Sequence, residues 1–204
     1  MLYQAICWDA DGVTLRRSRL FSEQLAAEHG LDVKKLQPFF KGVFKQCSLG
    51  KADLKEELAD VIGAWGWHGT VEELLEYWFK RCTELDQEVL TCVRAIRDAG
   101  VRCFMTTDQE RYRGEYLQNL VGHHNPFEQV FYAAYIGAGK KELAFWDYVY
   151  EKINRAPMGA SLAVSRESIL VIDDDTEDIE MAKSAGFATH LYRDIPTLRT
   201  FLSE

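Results

Sequence analysis

The chain has 204 residues, 47% hydrophobic and 27% charged, with a formal net charge of −8. That suffices for one ordinary domain with a proper core and room for an insert. No apolar run approaches the roughly 18 residues of a membrane span, and no basic cluster is long enough to track a phosphate backbone. The first residues carry no basic region ahead of an apolar stretch. Neither a membrane, nor nucleic acid, nor a secretory leader is therefore expected. Cys7, Cys47, Cys82, Cys92 and Cys103 are odd in number and lack metal spacing, so free thiols in a reducing cytoplasm are the expectation.

In chain order, Leu2 to Leu15 is an apolar, strand-like run that ends in Asp9, Asp11 and Gly12. Arg17 to His29 reads as a helix closed by Gly30, and Lys34 to Phe44 continues the helical pattern. Gly50-Lys51 opens a third helix, on which Leu54, Leu58, Val61, Ile62 and Trp65 recur at helical spacing. Thr70-Val71-Glu72-Glu73 is a capping-box signal ahead of Leu74, Leu75 and Trp78. Residues 16–85 thus read as an all-helical block. From Asp86 helices and strands alternate. A helix ends near Gly100, and Val101 to Met105 forms a strand ending in Thr106-Thr107-Asp108, with Asp108 capping the next helix to Leu120. Gln129 to Tyr132 is a strand followed by Gly137 and Gly139, and Glu142 to Ile153 is a helix. Met158 to Val164 is a loose connection. Ser168 to Ile172 is a strand ending in Asp173-Asp174-Asp175. A helix stopped by Gly186 and a strand from Phe187 to Tyr192 follow. Alternation of this kind implies an α/β fold with a doubly wound parallel sheet. Residues 1–15 and 86–204 would form the sheet domain, with the helical block inserted after its first strand.

An isolated Asp-x-Asp is also a common acidic turn; the later strand ends break that tie. Parallel strands bring Asp9, Asp11, Thr106, Thr107, Asp173 and Asp174 to one rim, and Lys140 precedes the helix after the third strand. Carboxylates, hydroxyls and an ammonium suit a hard divalent cation beside a substrate phosphate, not zinc. Asp173 to Asp175 also complement a helix dipole, so capping explains one of the three.

These residues resemble the haloacid dehalogenase-like hydrolases over essentially the whole chain. Asp9-Ala10-Asp11-Gly12-Val13 is similar to the first motif of that family, Cys103 to Thr106 to the second, Lys140 to the third and Ile169 to Asp174 to the fourth. The helical block resembles the cap of the small-cap, phosphatase-like branch. The resemblance implies Asp9 as nucleophile, Asp11 as general acid and base, and Thr106 and Lys140 on the transferring phosphoryl oxygens. It implies Mg2+ held by Asp9, Asp11 through its carbonyl, and Asp173 or Asp174, with a small phosphorylated metabolite as substrate. Gly12, Thr107 and Arg16 would face the substrate. Three positions depart from the pattern: Thr107 where Asn is frequent, Lys141 where Pro usually follows the lysine, and Arg16, with Arg17 and Arg19, where an acidic residue is common. Which of Lys140 and Lys141 reaches the phosphate stays open.

Other readings differ in testable ways. A haloacid dehalogenase uses the same nucleophile on carbon and needs no metal, which leaves Asp173 and Asp174 idle. A phosphomutase would transfer the group within its substrate. A phospho-accepting receiver carries its acidic pair on the first strand, whereas here the pair is on the fourth. A silent binding protein would bind phosphates without turnover. In the helical block, Lys41, Lys45, Lys51, Trp65, Trp67 and His68 are candidates for a substrate face, against bundle core for the tryptophans.

Overall fold

The computed structural model describes residues 3–16, 19–124, 126–155 and 164–203, without the side chains of 122–124. Five strands, β1 (Ala5–Asp9), β2 (Arg102–Thr107), β3 (Val130–Tyr132), β4 (Ile169–Asp173) and β5 (Ala188–Leu191), form one parallel sheet in the order β3-β2-β1-β4-β5. The first strand lies at the centre, paired on both sides, and its residues are buried throughout. A strand covered on both faces has no use for alternating polarity. Ile6 and Trp8 therefore join Met105, Leu170 and Ile172 in one core cluster, while Ala5 and Cys7 join Phe104 and Val171 in a second.

Among the described residues, six helices lie between β1 and the helix that precedes β2: α1 (Phe21–His29), α2 (Val33–Lys41), α3 (Phe44–Ser48), α4 (Leu54–Ala59), α5 (Ile62–Trp65) and α6 (Val71–Arg81). They build a third cluster of their own, rich in aromatic rings. Phe21 stacks on Trp78 with centroids 4.3 Å apart, and Trp65 meets Phe39 edge-on at 5.3 Å. Trp65 and Trp78 are thus core residues of the block, and Trp67 is packed at its edge.

The helical block is more broken than its periodicity suggests. The helix expected from Arg17 begins at Phe21, and Arg17 lies outside the described residues. The one expected over 34–44 ends at Lys41, where Gly42 intervenes before α3. Gly50-Lys51 does not open a helix. Asp53 does, its carboxylate accepting from the N–H groups of Lys55 and Glu56, a stronger start signal than the apolar spacing. Gly50 instead turns at φ 68°, where a Cβ would come 2.3 Å from the carbonyl oxygen of Ala134, so this turn presses directly on the sheet domain. The capping box at Thr70 and Glu73 forms in both directions.

The remaining helices cover the sheet. From one side, α7 (Gln87–Asp98), α8 (Arg111–His124) and α12 (Ile195–Ser203) bury Val93, Leu117 and Leu198. After the short α9 (Ala133–Ile136), α10 (Leu143–Asn154) and α11 (Thr176–Ser184) bury Phe145, Trp146 and Ala182 from the other. A loose connection was expected from Met158; residues 158–163 of it lie outside the described residues. The two chain crossings into the helical block run side by side: Leu15 bridges Leu85, Arg16 N–H donates to the Glu84 carbonyl at 2.8 Å, and Asp86 N–H to that of Thr14 at 2.9 Å.

Candidate active site

The carboxyl ends of β1, β2 and β4 meet on one rim, with Asp9 opposite Thr106 in register. Asp9 and Asp173 end their strands, Thr106 is the last residue but one of β2, and all three are inaccessible or nearly so. Lys140, in the turn before α10, is buried with them. Its ammonium donates to Asp9 Oδ1 at 2.6 Å and Asp173 Oδ2 at 2.7 Å and pairs with Asp178 Oδ2 at 2.9 Å. Its backbone is fixed too, the N–H donating to Asp108 and the carbonyl accepting from the Trp146 indole. Lys141 points elsewhere, exposed and paired with Glu177 and Asp175. Geometry thus separates the two lysines.

Burial works against the Lys140 charge, but Asp9, Asp173 and Asp178 hold its pKa well above the ordinary lysine value. Burial, reinforced by Asp173, pushes Asp9 well above the usual carboxylate range although Lys140 opposes it. Asp173 is also raised, by burial first. With Asp174 the rim carries four carboxylates against one ammonium, a balance that favours a bound cation. Oxygens of Asp9, Asp173 and Asp174 lie within 4.8 Å of one another, near enough to ligate one hard ion. Asp175, the third of the acidic run, is committed to capping α11 through the N–H groups of Glu177 and Asp178.

Two further features belong to that rim. The Thr106 hydroxyl is buried without a hydrogen-bond partner, a rare condition that a ligand oxygen would relieve. Gly12 turns at φ 95°, and a Cβ there would fall 2.2 Å from Asp174 Oδ2. Any other residue would displace that carboxylate. Thr107 is buried and accepts from Gln109 at 3.3 Å.

Asp11 lies in the turn after β1, and its carboxylate is bound on the side of the chain crossings. Arg113 donates to both its oxygens, at 2.7 and 2.9 Å, and Gln109 to Oδ2 at 2.6 Å. Arg16, expected at the substrate, is paired with Glu84 at 3.3 Å and Asp86 at 3.6 Å on the adjoining crossing.

One capping expectation is corrected. Asp108 does not cap α8 but receives the Lys140 N–H; Glu110 caps it, accepting from the N–H groups of Tyr112 and Arg113. The chain needs two residues more after β2 before it can turn into a helix. Burial raises Glu110 to about 7, against those two bonds and Arg113, which lower it. It lines a cavity of about 250 Å³ between the 47–54 segment of the helical block and the sheet domain, together with Lys51, Asp53 and Arg111. Asp178, Gln109, Glu110 and Arg113 were not singled out from sequence. No local signal was available: Gln109 lies ahead of α8, and Arg113 sits in its first turn.

A haloacid dehalogenase-like hydrolase family model matches residues 3–186. The chain belongs to that family. No curated protein matches it in sequence. Among solved structures it is similar to a HAD family enzyme from Bacteroides thetaiotaomicron in complex with magnesium and inorganic phosphate, at 14% identity and a TM-score of 0.75 over 96% of this chain and 98% of that one. A predicted HAD-like family hydrolase from Porphyromonas gingivalis aligns over 100% of both chains at 18% identity and a TM-score of 0.76. An L-2-haloacid dehalogenase from Xanthobacter autotrophicus, with chloropropionic acid covalently bound, aligns over 92% of this chain and 76% of its own, at 16% identity and a TM-score of 0.61. Identities this low carry the fold and nothing finer.

Proposed function

We propose that this chain is a magnesium-dependent hydrolase of a small phosphomonoester that works through an aspartyl-phosphate on Asp9. The observation that carries the reading is the rim itself: a buried ammonium shared by Asp9, Asp173 and Asp178, more carboxylates than it can neutralise, and the unpartnered Thr106 hydroxyl beside them. Displacement at carbon needs no such surplus of oxygen ligands. A neighbour of the same fold holds magnesium and inorganic phosphate together.

The Asp9 carboxylate attacks phosphorus in line, and the bond to the leaving oxygen breaks as Asp11 gives that oxygen a proton. Water then attacks phosphorus and passes a proton to Asp11, and the Asp9–phosphorus bond breaks to release phosphate. Thr106 and Lys140 hold the non-bridging oxygens where charge accumulates. Asp9, Asp173 and Asp174 would hold Mg2+, with the Asp11 carbonyl as a further ligand; when bound, the ion neutralises phosphate charge and favours the ionised nucleophile. The helical block serves as the cap of this site, and its 47–54 segment lines the cavity that also holds Glu110. The five cysteines form no disulfide and four of them are buried, which fits a reducing cytoplasm.

The decisive experiment is a metabolite screen for phosphate release, with magnesium and with a chelator, run beside chloride release from 2-chloropropionate. Magnesium-dependent phosphate release that falls on the order of 10⁴-fold or more in Asp9→Asn is expected. Chloride release indifferent to the chelator would replace this reading with dehalogenation.

A further inference from the structure

Arg113 is 7% exposed and carries its charge inside the protein, in the first turn of α8. Its guanidinium has five N–H groups. Nη1 donates to Asp11 Oδ2 and Gln109 Oε1, both at 2.9 Å; Nη2 donates to Asp11 Oδ1 at 2.7 Å and the Cys82 carbonyl at 2.8 Å. Nε is buried without a partner. Every terminal nitrogen is therefore engaged within the protein, and the arginine presents none to a substrate phosphate. Asp11 is different: its side chain is 48% exposed, and a half-exposed carboxylate on a turn would sample several rotamers unless held. Here it is gripped by a planar fork that is itself immobilised from behind.

We propose that Arg113, supported by Gln109, is the positioning residue for Asp11. It keeps the acid/base carboxylate in one orientation beside the nucleophile's turn and ties it to Cys82, where the chain leaves the helical block. The role rests on the hydrolase reading of Asp9 and Asp11. It calls for the arginine fork in particular, because an ammonium supplies charge without two parallel N–H donors. Cys82 ends α6, so the same bonds link the position of the helical block to the orientation of Asp11.

The test compares kcat/KM for phenyl phosphate, whose leaving group needs a proton, with that for 2,4-dinitrophenyl phosphate, whose leaving group departs without one. In Arg113→Met the phenyl ester should lose on the order of 100-fold and the dinitrophenyl ester less than about fivefold. Asp11→Asn should reproduce that split, and Arg113→Lys should restore only part of the loss. Equal losses on both esters in a variant with wild-type melting behaviour would show a merely structural arginine and overturn the role. Should Arg113→Met not fold, Gln109→Leu carries the same test, with a split of roughly tenfold expected and no split overturning the role. Hydrolysis that survives Asp9→Asn overturns the hydrolase reading and the role with it. Hydrolysis lost in Asp9→Asn, with no split at Arg113, removes the role alone.

Discussion

Around Asp9, four carboxylates and one ammonium sit at the end of a buried sheet. In the helical block, Phe21, Phe39, Trp65 and Trp78 fill an equally buried interior with stacked and edge-on rings. Removing a ring from the block loses dispersion contacts and leaves a void. Removing a charge from the rim leaves its partners buried and uncompensated. The two regions therefore divide the work: the aromatic interior contributes stability, while the rim stores unneutralised charge that a cation can use.

Four substitutions sharpen or break that division. Lys140→Met should have the largest effect, lowering kcat on the order of 10³-fold. Without divalent metal it should also lower stability by about 3–5 kcal/mol, because three carboxylates lose their common partner. Chemical denaturation with and without magnesium measures both contributions. Trp78→Ala should cost a similar 3–5 kcal/mol yet leave turnover of an activated aryl phosphate within about threefold for the folded fraction. A collapse of kcat there would mean that the interior of the block also serves the chemistry.

Glu110 lies between the two regions and tests their electrostatic separation. Its carboxyl is held near 7 in the folded chain, against an ordinary 4.5. Between those values the folded state binds more protons than the unfolded one, so this group makes stability fall as pH rises from about 4.5 to about 7. The full amplitude is roughly 3 kcal/mol. Melting curves across that range should flatten in Glu110→Gln, and an unchanged slope would assign the pH dependence elsewhere. Lys141→Ala should do least, changing stability by less than about 1 kcal/mol, because its partners are exposed. The contrast with its neighbour Lys140 isolates burial as the cause.

What could be read from the residues was whatever local rules make explicit. A central parallel strand must be apolar on both faces, so the run before Asp9 declared itself, and Asp173 followed by the same argument. Thr70 and Glu73 announced their helix start through reciprocal caps. The broken helices of the block escaped because apolar spacing continues through Gly42 and Asp60, while Asp53 carries the real start. Arg113 and Gln109 escaped for a different reason. A polar helix start normally faces water, and only the packing of α8 against Cys82 and Asp11 turns this one inward. Asp178 was hidden among the acidic residues of α11, where nothing local marks it as buried.

By itself, then, the chain determined a parallel α/β sheet, the position of the helical insertion and the residues delivered to the strand ends, since periodicity and turn chemistry are local. The tertiary structure decided the partners. It chose Lys140 over Lys141 by burial, Glu110 over Asp108 as the cap of α8, and Arg113 as the cation that receives Asp11. Those choices depend on which charges lose water together, and that is fixed by contacts between residues as far apart as Asp11 and Arg113, or Asp9 and Lys140.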